Sequence, residues 1–146
     1  MANISITEFA DRVSEIMPAI MKEFLKSQAG GFHKMKITLP QFAIMDILDR
    51  EKESNMTDLA KAMSVTTSAM TGVVDRLVRD GYVSRSHDLE DRRIVRIKLT
   101  AKGTKTVHAA IEDRKKATIK MFGVISQEER EKYLSILEHI KEHFSE

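Results

Sequence analysis

The sequence predicts a mainly α-helical α+β protein with one small β-hairpin, and three observations carry that expectation. Charged residues make up 32% of the 146 and aromatics only 5%. That balance, rich in Leu, Ile, Met, Ala, Lys and Glu, favours helices over an all-β core. Apolar residues recur every three or four positions along much of the chain, as they do on the inner face of a helix. One stretch, Val95-Arg96-Ile97-Lys98-Leu99, instead alternates with period two, as a half-buried strand does.

The elements follow in chain order from their start and stop signals. Ser5-x-x-Glu8 is a capping box, in which each side chain satisfies a free backbone N–H at a helix start. Behind it Phe9, Val13, Ile16, Ile20 and Phe24 form one apolar stripe. Pro18 lies within that stripe and should kink the helix, and Gly30-Gly31 should end it. Thr38-x-x-Gln41 opens a second helix, with Pro40 tolerated in the first turn where no intrahelical N–H bond is required. Thr57 to Met63 reads as a short helix, Ser64-Val65 as a tight turn, and Thr66 to about Asp80 as a further helix stopped by Gly81. Residues 82–87 and 93–99 fit paired strands around the loop His87-Asp88-Leu89-Glu90-Asp91-Arg92. Thr100 can cap a long helix reaching about Phe122, along which Val107, Ala110, Ile111, Ala117 and Met121 form a stripe. Ser126-x-x-Glu129 caps the last helix, striped by Tyr133, Leu134, Leu137, Ile140 and Phe144.

Length and composition bound the function. A chain of 146 residues fits one domain with a real core, here taken as residues 1–146. With no cysteine, disulfides, thiolate–zinc sites and thiol redox chemistry are excluded. No apolar run approaches the roughly 20 residues that span a bilayer, and the start lacks a signal peptide's basic and apolar regions. A cytoplasmic protein with no membrane partner is expected. The net charge of +2 is unevenly spread: residues 57–105 carry a balance of +4, and each flank −1. The middle third is therefore the part suited to a polyanion.

That middle third also carries a recognisable constellation. Leu59, Ala60 and Met63 should pack inward from one short helix, and Met70, Val73, Val74 and Leu77 from the next. This leaves Thr66, Thr67, Ser68 and Thr71 outward at the second helix's N-terminal end. Short hydroxyls there can meet phosphates and bases, a Thr methyl can meet a thymine methyl, and the helix's positive end favours a phosphate. The bland reading is a good N-cap and a polar first turn; the tight turn before it and the hairpin after it favour DNA. Arg92 and Arg93 stand at the hairpin tip, with Arg96 outward on the strand and Arg76 on the helix. A guanidinium entering a narrow minor groove gains from the concentrated negative potential there. Asp91 beside the tip arginines is expected to orient one of them through a bidentate pair. These are the parts of a winged helix-turn-helix, in which one helix enters the major groove and a wing reaches the backbone or minor groove.

The chain resembles the MarR family of dimeric winged helix-turn-helix transcriptional regulators. The family's D-x-R-x(5)-L-T wing pattern is met by Asp91, Arg93, Leu99 and Thr100. Its D-R-L-x-x-x-G pattern is met by Asp75, Arg76, Leu77 and Gly81, followed by Tyr82-Val83 and Arg85. One departure is Gly72, where relatives often carry a larger and sometimes basic residue. The resemblance extends over the whole chain and implies a homodimer on a palindromic operator. Its winged module would span about 38–100, with dimerisation helices at about 5–29 and 101–145. More apolar helix surface than a small winged core needs is an independent argument for the dimer. The bland alternative is that those helices cover their own core.

The resemblance also implies a pocket for a small aromatic or anionic effector. Candidate lining residues are Met17, Met21, Phe24, Phe32, His33, Phe42 and Met45. Met adapts to irregular apolar ligands, and a His could meet a carboxylate. Ordinary core packing is the alternative for the Met and Phe residues, and a solvated loop position for His33. His139 and His143 share a helix face but read as a surface pair, so no metal is expected. No phosphate loop, nucleophile elbow or H-E-x-x-H occurs, and neither an enzyme nor a cofactor is expected. The expected function is a sequence-specific DNA-binding regulator, a repressor released by its effector. An activator, an effector-independent regulator or a winged protein–protein adaptor are the alternatives.

Overall fold

The computed structural model describes residues 3–144, apart from the side chains of residues 29–33. The elements run α1 (Ile6–Met35), α2 (Leu39–Glu51), β1 (Glu53–Asn55), α3 (Met56–Ala62), α4 (Thr67–Arg79), β2 (Val83–His87), β3 (Val95–Leu99), α5 (Ala101–Phe122) and α6 (Gln127–His143). The mainly helical α+β class with a β-hairpin is the fold observed. The chain divides into two compact units, one of residues 29–113 and one of the residues up to 28 with those from 114 onward.

The unit of residues 29–113 closes a core of its own. Ile44, Met45 and Leu48 of α2, Leu59 of α3, Met70, Val74 and Leu77 of α4, Ile97 of β3 and Val107 of α5 are all almost fully buried. The three strands form an antiparallel sheet in the order β1-β3-β2. Val83 lies opposite Leu99, Arg85 opposite Ile97, and Glu53 opposite Lys98. β1 was not legible in the sequence, because Glu53-Ser54-Asn55 has no strand-forming side chain; pairing with β3 makes it a strand.

Caps place the helices. Thr38 and Gln41 form the reciprocal box at α2, and Asn55 accepts the Asp58 N–H (2.8 Å) to start α3 one residue earlier than its sequence suggests. Ser64 turns the chain with φ 53°, and Thr66 then caps α4 by accepting the Ala69 N–H at 3.1 Å. Gly81, at φ 80°, takes the left-handed position after α4 that disfavours any other residue type. The hairpin strands begin at Val83 and Val95, one and two residues later than expected.

Gly30-Gly31 does not end α1, which continues to Met35 and stops where Lys36 turns left-handed at φ 55°. A glycine inside a helix costs only about 1 kcal/mol relative to alanine, so two are tolerated in a helix of 30 residues when its surroundings favour continuation. α1 likewise runs on through Pro18.

The junction of β2 and α5 is tightly built. The buried Tyr82 donates its hydroxyl to the Met35 carbonyl (2.9 Å), and its own carbonyl accepts the Thr100 N–H (3.0 Å). Thr100 donates its hydroxyl to the Gly81 carbonyl (2.6 Å) and accepts the Gly103 N–H (3.0 Å). A Cβ at Gly103 would lie 1.9 Å from the Tyr82 carbonyl oxygen, so only glycine fits there.

The other unit is different in kind. α6 carries the Ser126–Glu129 capping box but has no buried residue. Leu134, Leu137 and Ile140 remain half exposed, as do Phe9, Ile16 and Ile20 of α1. No helix among the described residues is long and apolar enough to cross a membrane.

Candidate nucleic-acid interface

Two features of the 29–113 unit present polar and cationic groups on rigid supports. The first is the N-terminal end of α4. Thr66, Thr67 and Ser68 are exposed there, and Thr71 is half-buried. Thr66 spends its hydroxyl oxygen on the cap, and Thr71 donates its hydroxyl to the Thr67 carbonyl (2.8 Å). The hydroxyls of Thr67 and Ser68 make no hydrogen bond among the described residues. Gly72 is exposed one turn further on, and a Cβ there would meet nothing within 4 Å. Arg76 extends the same exposed side of the helix without an ion pair among the described residues. α4 is fastened to the sheet by the ion pair of Asp75 with Arg85 on β2.

The second feature is the loop between β2 and β3. Asp88 closes it: its backbone N–H donates to the Ile94 carbonyl (2.9 Å), and its Oδ1 accepts the N–H groups of Glu90 (2.9 Å) and Asp91 (3.3 Å). Asp91 Oδ1 accepts the Arg93 backbone N–H (2.9 Å), so this carboxylate grips the main chain of Arg93 and forms no bidentate pair with a guanidinium. The ring Nδ1 of His87 lies 2.9 Å from the Arg92 carbonyl. It is the donor of that bond, since a carbonyl only accepts. The Arg92 and Arg93 side chains are exposed, and neither guanidinium has an ion-pair partner among the described residues.

Arg96 behaves differently from its neighbours at the tip. Its Nε donates to Asp88 Oδ2 (3.1 Å), and Nη1 lies 3.6 Å from Glu53 Oε1. Glu53 in turn holds Lys98 at 2.8 Å. The Lys98 ammonium, with Arg96 behind it, holds the Glu53 carboxyl below the usual carboxylate range. The N–H groups of Glu90 and Asp91, then Arg96, do the same for Asp88. Arg96, expected among the DNA-facing residues, has two carboxylates of its own chain beside it. Sequence reasoning missed Glu53 because β1 was illegible. Asp88 carried a local signal, a carboxylate two and three residues before the N–H groups it accepts.

The expected effector residues fall in both units. Phe42 and Met45 are packed into the core of the 29–113 unit, 5% and 0% exposed. Met17, Met21 and Phe24 belong to the other unit, where both methionines are 43% exposed. The side chains of Phe32 and His33 lie outside the described residues.

Comparison with known proteins is consistent over most of the chain. Residues 37–95 match the MarR family model. YetL of Bacillus subtilis, an HTH-type transcriptional repressor, is 29% identical over 91% of this chain and 77% of its own length. YfiV of the same organism, an uncharacterized HTH-type transcriptional regulator, is 31% identical over 67% of this chain and 61% of its own. A MepR-like protein solved in complex with pseudoligands is 36% identical over 92% of each chain, with a TM-score of 0.59. A MarR family protein from Bacillus stearothermophilus superposes with a TM-score of 0.84 at 23% identity, over 98% of this chain and all of that one.

Proposed function

We propose that this chain, which belongs to the MarR family of winged helix-turn-helix transcriptional regulators, works as a homodimeric repressor on a palindromic duplex operator. The observation that carries the reading is the pairing, in one compact unit, of a helix end with two hydroxyls and a pinned loop with two arginines that have no ion-pair partner among the described residues. Thr67 and Ser68 would meet base edges or phosphates in the major groove, with Thr66 and Thr71 shaping the helix end and Arg76 meeting phosphate. Arg92 and Arg93 would lie along the backbone or enter the minor groove, with Asp91 setting the main-chain direction of Arg93. Arg96 acts in this reading as a strut of the wing. The winged module of about 38–100 reads DNA, and the flanking helices of about 5–29 and 101–145 pair two copies. The half-exposed apolar stripes of α1 and α6 support that pairing, and a two-fold dimer sets two recognition helices about one DNA turn apart.

The repressor role draws support from YetL, and an effector from the relative solved with pseudoligands. A small aromatic or anionic effector would act by favouring a dimer whose two reading helices no longer match successive grooves. It must bind that form more tightly than the DNA-competent one, since equal affinity shifts nothing. The site of action is the cytoplasm, where the operator is.

A gel-shift titration on operator fragments selected from the source genome tests the reading. Arg93→Ala should weaken binding and reduce the salt slope by about one phosphate's worth, and Ser68→Ala should change sequence preference. Unchanged affinity in Arg93→Ala with the fold intact would refute the wing's role. A parallel titration with an aromatic carboxylate such as salicylate examines release.

A further inference from the structure

We propose that Asp88 is a positioning residue for DNA binding, acting through the tip arginines by holding the wing in its binding shape before a duplex arrives. The inference rests on the reading of this chain as a duplex-binding regulator and names a residue that the reading itself does not require.

A carboxylate on a polyanion-facing loop should by itself oppose binding. Asp88 is nevertheless the most heavily bonded side chain of that loop. One oxygen accepts two backbone N–H groups, and the other accepts Arg96 Nε. Its backbone N–H closes the loop onto Ile94. The chain of charges continues from Arg96 to Glu53 and from Glu53 to Lys98. It thus runs from the wing tip to β1, whose last residue, Asn55, caps α3. The tip is tied at both arginine backbones, by Asp91 at Arg93 and by His87 at Arg92. The two guanidinium arms have no ion-pair partner among the described residues. Ordering the loop beforehand removes that cost from the binding step, and pairing Asp88 with Arg96 offsets the charge that would otherwise repel phosphate.

The sign of one substitution separates this role from a plain surface charge. Asp88→Ala and Glu90→Gln each remove one negative charge from the same loop, and the Glu90 carboxylate has no partner among the described residues. Charge alone makes both variants bind DNA more tightly. Positioning makes Asp88→Ala bind about tenfold more weakly, an order-of-magnitude loss for preorganisation, while Glu90→Gln binds at least as well as the parent. A double-mutant cycle with Arg93→Ala then reads whether Asp88 acts through the arginine. In that case Asp88→Ala costs much less when Arg93 is already absent, whereas a purely structural role costs the same in both backgrounds.

The experiment is equilibrium duplex binding by the full-length chain at fixed salt, with thermal unfolding of every variant alongside. Asp88→Asn, which keeps one acceptor oxygen, should fall between Asp88→Ala and the parent and covers the case in which alanine impairs folding. Affinity of a folded Asp88→Ala or Asp88→Asn that equals or exceeds the parent's overturns the proposal, as does an additive cycle. Absence of duplex binding by the unmutated protein, or indifference to Arg93→Ala, overturns instead the regulator reading on which it rests.

Discussion

The unit of residues 29–113 and the unit of the terminal helices use the same kind of apolar spacing and meet opposite fates. In the first, Met70, Val74 and Leu77 of α4 recur at helical intervals and are 1%, 0% and 0% exposed. In the second, Leu134, Leu137 and Ile140 recur just as regularly and are 57%, 43% and 49% exposed. Periodicity says that a face seeks burial and is silent on whether the partner belongs to the same chain. The contrast separates a unit that buries its apolar faces within itself from helices whose stripes, on the proposed reading, would be covered by a second copy.

Removing residues 126–146 is the most drastic way to break that contrast. The deletion takes away the capped α6 and its stripe, and should abolish dimerisation and tight operator binding together. Sedimentation would show a monomer at micromolar concentration where the full chain is a dimer. A full-length chain that is already monomeric, yet binds its operator tightly, would remove the distinction between the units.

A matched pair of substitutions sharpens it. Leu77→Ala should cost about 2–5 kcal/mol at any protein concentration, because it opens a cavity in a closed core. Leu137→Ala should leave the 29–113 unit unaffected and lower the unfolding temperature only as dilution favours the monomer. Calorimetry across a hundredfold dilution distinguishes the two.

Acid should loosen the arms through their cap. The Ser126 backbone N–H, then its hydroxyl, holds the Glu129 carboxyl below its ordinary value of 4.5. A lowered folded-state value means that the contribution is present above 4.5 and is lost as the pH falls through the lower value. Helix content followed by circular dichroism should therefore drop below about pH 4.5 less steeply in Glu129→Gln than in the parent.

Gly72→Ala carries the smallest effect. Nothing in the fold occupies the space of its Cβ, and alanine is the better helix former, so stability should rise by about 1 kcal/mol. The same residue lies between Ser68 and Arg76 on the side proposed to meet DNA, where a bare backbone would allow closer approach. Operator affinity should therefore fall as stability rises. Denaturant unfolding and duplex titration on one preparation check both signs.

Much of the architecture was legible because its signals are local. Thr38 with Gln41 and Ser126 with Glu129 bond within one turn, and Asp80-Gly81 stops α4 by backbone preference alone. The hydroxyl-rich end of α4 and the arginines of the wing were legible for the same reason, as residues whose neighbours along the chain define them. The misreadings came where a distant element decides. Gly30-Gly31 carried a stop signal that the continuing helix overrode. Arg96 looked like its exposed neighbours because neither Asp88 nor Glu53 announces that it will meet Arg96 across the sheet.

What the sequence alone determined, then, was the order and type of nearly every element, the caps that bound them and the family pattern of Asp75-Arg76-Leu77 and Asp91 to Thr100. Short-range hydrogen bonds and helical periodicity suffice for that, since each is satisfied within a few residues. Tertiary structure alone decided that Glu53-Ser54-Asn55 is a strand and that Gly103 must pass against the Tyr82 carbonyl. It also decided which of the wing's arginines pairs with carboxylates of its own chain and which have no ion-pair partner among the described residues. Those outcomes depend on groups far apart in the chain whose approach is set by the closing of the core, and no local pattern encodes that approach.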